Sequence, residues 1–258
     1  MKEFKVGVYE DLTYEEYAEI PAFRSHDLTA VIKCPYSWKN KKDIEQTPAL
    51  LEGRVQHTVF LEHHKFDEEF VIQPKIDRRT KAGKEEYEDF VAAMGNRTAI
   101  TQEMYDTCMQ RREIVKDYIP KATDKVEHTL VFEWHGQPFK CRMDWYDGVK
   151  VWDLKTCRDA SPRGFRGAIN AFNYHMQAAL YVDACRALDL RADGFNFLAQ
   201  EKQDPYPYVI YTLTTEALKY GQARNQQALD LLLRCQNDND YKPYNLEGVQ
   251  TIDLADLN

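Results

Sequence analysis

The sequence predicts an α/β fold, a central mixed β-sheet flanked by helices, on three observations. Asp147-Gly148 is a strong two-residue hairpin signal with β-rich segments on either side, Phe139 to Tyr146 and Val149 to Cys157. Asn173 to Leu188 has the apolar periodicity of an amphipathic helix. Two further strand-like runs, Gly194 to Leu198 and Tyr208 to Leu213, follow it and complete the sheet.

The remaining elements read in order. Thr13 to Ile20 is a short helix opened by a capping box, Thr13-Tyr-Glu-Glu16. Ser25 to Lys33 is a second, stopped by Cys34-Pro35, with the aromatic pair Tyr36 and Trp38 behind it. Ala49 to Glu62 is a helix with Leu51, Val55, Thr58 and Val59 near one stripe and His57 toward its edge. Gly53, one turn before His57, costs about 1 kcal/mol relative to alanine, which suggests a close backbone approach. Residues 84 to 119 read as helical, with Tyr87, Phe90, Val91 and Met94, then Met104, Cys108, Arg111 and Val115, as core stripes. Val126 to Trp134 alternates as a strand that should pair with the hairpin; Glu133 on it is the candidate for a third acid at a metal, though a surface or supporting role is expected of it. Asp204 to Tyr208 is a connecting loop, and Thr214 to Cys235 a long helix opened by Thr214-Thr-Glu-Ala. A chain of 258 residues can bury one substantial core. A single domain is expected, with a helical part over about 10–120, a sheet core over about 126–215 and a helix and tail over about 214–258.

Composition excludes several classes. No window approaches the roughly 20 apolar residues that span a membrane, and Met1-Lys-Glu-Phe-Lys-Val lacks a signal pattern, so a cytoplasmic location is expected. Six cysteines, at 34, 108, 141, 157, 185 and 235, form no C-x-x-C pair, so neither a zinc ribbon nor a disulfide scaffold is indicated. The net charge of -8, from 34 basic and 42 acidic side chains, looks wrong for a polyanion partner, but charge is local. Lys75, Arg78, Arg79, Lys81 and Lys84, beside a flexible Gly83, form one candidate DNA-binding stripe. Lys33, Lys39, Lys41 and Lys42 form a second, and Arg158, Arg163 and Arg166 a third; each is as readily a solvated basic loop. The acidic balance favours a site that captures an end or threads one segment over one that grips arbitrary duplex.

The hairpin carries the chemistry. With Asp147 and Gly148 as the turn, Tyr146 faces Val149 and Asp144 faces Val151. Alternation then puts Asp144, Val151, Asp153 and Lys155 on one face, and Trp152, Leu154 and Thr156 on the other. Asp153 becomes the diagonal neighbour of Asp144, roughly 7 Å away between backbones. Like charges side by side on a sheet are costly unless a cation lies between them, and a hard divalent ion such as Mg²⁺ prefers such oxygen ligands. Lys155 would neutralise phosphate charge or orient a water. By local pattern alone, a solvated hairpin with a surface Asp-Lys pair is the commoner case. Gln177 and Tyr181 share a helix face at i and i+4, either as groove residues or as a pair bonded to nearby backbone.

Asp144 followed by Asp153-Leu154-Lys155 resembles motifs II and III of the PD-(D/E)XK nuclease superfamily. Gln177-Ala-Ala-Leu-Tyr181 resembles the Q-x-x-x-Y signature of its RecB-like and lambda-exonuclease-like branch, and Gly53-Arg-Val-Gln-His57 the G-x-x-x-H element upstream. Cys-Arg-Met-Asp144, Asp153-Leu-Lys-Thr and Tyr174-His-x-Gln177 are most similar to the RecE-like exonucleases; the resemblance covers roughly residues 10 to 215. It implies a restriction-endonuclease-like core in which His57, Asp144, Asp153 and the Leu154 carbonyl hold one or two Mg²⁺ ions, with Mn²⁺ able to substitute. Lys155, Asp144, Asp153, Gln177 and Tyr181 would be catalytic. It further implies 5'-to-3' degradation of double-stranded DNA ends by a phage or prophage enzyme, a homotetrameric ring, and a RecT-like single-strand annealing partner. Some relatives carry an iron-sulfur cluster, but Cys235 stands alone in the C-terminal region and no cluster is expected.

Overall fold

In a computed structural model, residues 5–42 and 46–244 are described. The architecture is α/β, as the alternation of strand and helix signals predicts, but the strands divide between sheets. Five strands form a mixed sheet in the order Tyr208–Thr212, Gly194–Glu201, Lys150–Cys157, Trp145–Tyr146, Lys125–Val126. Only Lys150–Cys157 and Gly194–Glu201 run parallel in it, connected by two helices, Pro162–Phe172 and Tyr174–Ala187. Gly7–Tyr9, Thr129–Trp134 and Gln137–Arg142 form a separate antiparallel sheet. The expected strand Phe139 to Tyr146 is therefore bent at Met143-Asp144, leaving one sheet and entering the other.

Each face of the five-stranded sheet has its own core. Val151, Phe195 and Phe197 pack with Met176, Leu180 and Tyr181 of the helix Tyr174–Ala187. Trp145, Leu154 and Leu198 pack with Val55 and Val59 of the helix Pro48–Leu61 and Cys108 of the helix Gln102–Ile114. The helix Thr215–Asp238 lies behind Tyr174–Ala187 and crosses it at Gly221, where a Cβ would stand 2.2 Å from the His175 carbonyl oxygen. Only glycine permits that approach. Lys140 ties the first helix to the three-stranded sheet: its buried ammonium donates to the carbonyls of Tyr17, Ala18 and Ile20 at 2.6, 3.1 and 2.7 Å.

Several expectations are corrected. The region 84–119 is not one helix but Lys81–Met94, the strand Thr98–Ile100 and Gln102–Ile114; Thr98–Ile100 pairs in parallel with Phe70–Ile72. Cys108, Arg111 and Val115 are buried as expected. The Tyr87, Phe90, Val91, Met94 stripe is not core: Val91 is exposed, and Gly83 is the buried residue of that helix. Gly83 is not a flexible spacer either, since a Cβ there would meet the Asp77 carbonyl oxygen at 2.1 Å. At Gly53, by contrast, a Cβ would meet nothing within 4 Å, so no close approach explains that glycine. The helix Pro162–Phe172, capped by Ser161 Oγ accepting from Gly164 N–H, was not expected. No helix among the described residues is long and apolar enough to cross a membrane.

Candidate active site

The hairpin register differs from the expected one by two residues. Trp145 pairs with Trp152 and Tyr146 with Val151, so the loop is four residues wide rather than two. Asp147 causes this: its Oδ1 accepts the N–H groups of Val149 and Lys150 at 2.9 and 2.7 Å, and its Oδ2 the Trp152 indole N–H at 2.7 Å. An aspartate that bonds its own turn competes with the tight two-residue form. A shift of two preserves which face each side chain takes. Continued one step, the register sets Asp144 directly opposite Asp153 rather than diagonal to it.

Both acids are buried, at 9% and 2% exposure. The Leu154 N–H donates to Asp144 Oδ2 at 2.6 Å. The N–H and C=O of one residue point to the same edge of an antiparallel pair, so the Leu154 carbonyl is turned toward Asp144 as well. Asp153 is fixed from the other side: Gln177 Nε2 donates to its Oδ1 at 2.8 Å and the Lys155 ammonium lies 2.6 Å from its Oδ2. Lys155 also donates to Gln177 Oε1 at 3.3 Å, closing a triangle of Asp153, Lys155 and Gln177. Tyr181, one turn beyond Gln177, does not share that position. Its helix is buried nearly all round, and Tyr181 sits in the core with its ring edge-on to Phe195 at 6.1 Å.

His57 reaches the acids from the helix Pro48–Leu61. Its Nε2 is 3.8 Å from Asp144 Oδ2, and its Nδ1 is 3.8 Å from Glu127 Oε1. Glu127 escaped the sequence reading, which named Glu133 as the candidate third acid; Glu133 is exposed, as expected of it. Glu127 stands where the chain passes from Lys125–Val126 to Thr129–Trp134, in a left-handed conformation at φ 52°, with its N–H donating to the Asp144 carbonyl at 3.1 Å. That conformation costs a non-glycine residue roughly 1–2 kcal/mol, and it turns the carboxylate to the site. The available signal was an acid beside a histidine, Glu127-His128, inside an otherwise alternating strand.

The electrostatics follow from this crowding. Burial raises the Asp144 pKa; His57 opposes the shift, and Asp153 and Glu127 reinforce it. Burial alone would lower His57, but Asp144, Glu127 and Asp153 outweigh it and lift its pKa to about 9. Burial would likewise lower Lys155, and Asp153 and Asp144 instead raise it. One ligand atom each from His57, Glu127 and Asp144 lies within 4.8 Å of the others. An imidazole with two crowded carboxylates is a donor set for a divalent cation, which would offset the burial, and with it the repulsion, that hold the Asp144 pKa up. The expected set of His57, Asp144, Asp153 and the Leu154 carbonyl shares His57 and Asp144 with this trio, and the Asp153 oxygens lie against Gln177 and Lys155.

Among the described residues, no ion pair links the basic stripe from Lys75 to Lys84 to this cluster. Arg78, Arg79, Lys81 and Lys84 are exposed. Arg79 is paired with Asp77 at 2.9 Å, Lys81 with Glu85 at 3.8 Å, and Arg78 covers the Tyr87 ring at 4.3 Å. The concavity beside Lys75 and Arg79 is also walled by Glu103 and Asp106, so it is mixed in charge. Arg158 is exposed at the end of the lysine-bearing strand.

Fold and site together define a PDDEXK-like domain, with acids and a lysine on adjoining strands beside a flanking helix. The chain belongs to the family described as "PDDEXK-like domain of unknown function (DUF3799)", whose model matches residues 24–254. Its fold is similar to that of a "putative exonuclease" from Eubacterium rectale, with a TM-score of 0.62 and 15% identity over 96% of this chain and 98% of that one. A second solved structure, SSO0001, aligns at a TM-score of 0.30 and 11% identity over 74% of this chain and 88% of that one, too low to bear on the fold. No curated protein matches the sequence.

Proposed function

We propose that the protein is a divalent-metal-dependent exodeoxyribonuclease that shortens double-stranded DNA from its 5' ends, leaving 3' single strands for recombination by strand annealing. The observation that carries hydrolysis is the opposed buried pair Asp144 and Asp153, with Lys155 and Gln177 fixing one acid and His57 and Glu127 beside the other. Mg²⁺, or Mn²⁺ in its place, held by His57, Glu127 and Asp144, would supply Lewis-acid polarisation of the scissile phosphate and a more acidic water. Lys155 then places a fixed positive charge where the phosphate gains negative charge in the transition state, and needs no reorganisation to do so. Gln177 holds the Lys155 ammonium and the Asp153 carboxylate in one orientation. Support for polarity, for action at ends and for a phage-type cytoplasmic setting with a RecT-like annealing partner comes from the RecE-like motifs. A homotetrameric ring belongs to the same proposal.

End-labelled linear duplex and relaxed closed circular DNA, each with Mg²⁺, Mn²⁺ or EDTA, test the reading. The linear duplex should shorten from its 5' ends, the circle should survive, and EDTA should stop the reaction. Nicking of the circle would favour an endonuclease of the same superfamily, degradation confined to single strands a single-strand exonuclease. Inertness toward all of them would leave a DNA-binding protein with a vestigial site.

A further inference from the structure

Beyond Lys155, the strand Lys150–Cys157 ends at a surface concavity of about 760 Å³ walled by Cys157, Arg158, Phe172, Tyr174 and Lys202. Tyr174 connects this concavity to the acids. The Lys155 ammonium lies 4.7 Å from its ring centroid. The same ring packs on Phe197 and Phe165, at 5.8 and 6.2 Å between centroids, and Phe172 stacks on it at 5.5 Å with 25° between the planes. Phe172 is 65% exposed. A lone exposed phenylalanine needs no explanation. This one ends a row, Asp153, Lys155, Tyr174, Phe172, that leads from the buried acids into solvent. Basic side chains share its concavity: Arg158 is exposed with no salt bridge among the described residues, and Lys202 reaches Glu52 only at 3.7 Å. The acid on the same wall, Asp159, has its Oδ1 taken by the Ser161 N–H at 2.8 Å.

An exposed ring, Phe172, backed by the half-buried Tyr174 and flanked by cations, matches an unpaired nucleotide, whose base offers a π face and whose backbone offers negative charge. A base inside a duplex has both faces covered by its neighbours. We propose that Phe172 and Tyr174 form a stacking platform for one unpaired base beside the scissile phosphate, with Arg158 and Lys202 against the backbone of that strand. The inference rests on the nuclease reading for its substrate and specifies the form: a strand that enters the site frayed, even when the rest of the DNA is duplex.

The test is binding of duplexes with a short single-stranded end, followed by fluorescence anisotropy with Ca²⁺ in place of Mg²⁺. An abasic site is walked through the end one position at a time, against the wild-type protein and Phe172→Ala. One abasic position should weaken wild-type binding about tenfold, as expected for one base–aromatic stack. Phe172→Ala should cost about the same, the two together no more than either alone, and Phe172→Tyr should restore binding. Additive losses, or losses equal at every position, would overturn the platform. Hydrolysis of linear DNA by the wild-type protein separates the two ideas. Binding with the expected pattern but without cleavage sinks the nuclease reading alone, and cleavage indifferent to Phe172 and to the missing base sinks the platform alone. Absence of DNA binding overturns both.

Discussion

The charges beside the sheet and the basic stripe from Lys75 to Lys84 sit in opposite settings. Asp144, Asp153 and Lys155 are fixed by short contacts to backbone and to Gln177, and burial and neighbouring charge move the protonation of Asp144 and Lys155. Arg79 and Lys81 stand in water and pair with acids two and four residues away. Such exposed pairs are worth about 0–1 kcal/mol and are screened by salt. Preorganised charge at low dielectric can stabilise a transition state, whereas solvated charge can only raise the local concentration of a polyanion. Under the proposed function, chemistry would belong to the first region and capture to the second.

Removing a ligand from the first region should do the most damage. Glu127→Ala should weaken binding of Mn²⁺ by at least about 100-fold, the upper range for losing even a group that merely supports a metal ligand, and hydrolysis should fall with it. Calorimetric titration of the metal checks this, and near-normal affinity would return Glu127 to a purely structural role. Lys155→Ala should lower the single-turnover rate about 10²-fold while DNA binding in Ca²⁺ changes little, because its contribution grows only as transition-state charge develops. Equal losses in rate and binding would make it a phosphate contact of the same kind as the stripe.

Protonation offers a finer probe. His57, with its pKa near 9, is cationic at neutral pH and must shed its proton to bind a cation. Metal affinity should therefore rise with pH, about tenfold per unit, and level off above the His57 pKa. His57→Ala should flatten that slope; a slope unchanged in the variant would exclude His57 as the titrating ligand. The smallest effect belongs to the stripe. Reversing charge at Arg78 and Arg79 should leave the single-turnover rate within about twofold, while making DNA capture weaker and more sensitive to salt. A large loss of rate would break the division between the two regions.

What the sequence revealed and what it hid follow from periodicity. Asp144, Asp153 and Lys155 could be placed on one face because strand alternation survives any even shift in register, including the one imposed by Asp147. Gln177 was found through its helical spacing and motif. Glu127 was hidden because its direction depends on one left-handed backbone conformation that no pattern of polar and apolar residues encodes. The split into two sheets was hidden because the residues facing one core pass from Phe139, Cys141 and Met143 to Tyr146 across the bend, while Trp145 turns to the other core, a change of phase that no turn residue announces. The helix Pro162–Phe172 was masked by Gly164 and Gly167, which depress its propensity. The strands Phe70–Ile72 and Thr98–Ile100 are too short to register as periodic.

The crossing at Gly221 gives the site a tolerance set from behind. His175, whose carbonyl stands 2.2 Å from where a Cβ on residue 221 would be, lies two residues before Gln177 on the same rigid helix. That close approach, with the Asn225 side-chain amide donating to the Met176 carbonyl at 2.8 Å, sets how the helix presents Gln177 to Asp153 and Lys155. A single added methyl there would act as a shim: it would shift the helix without touching any charged group, and detune the triangle on the far side.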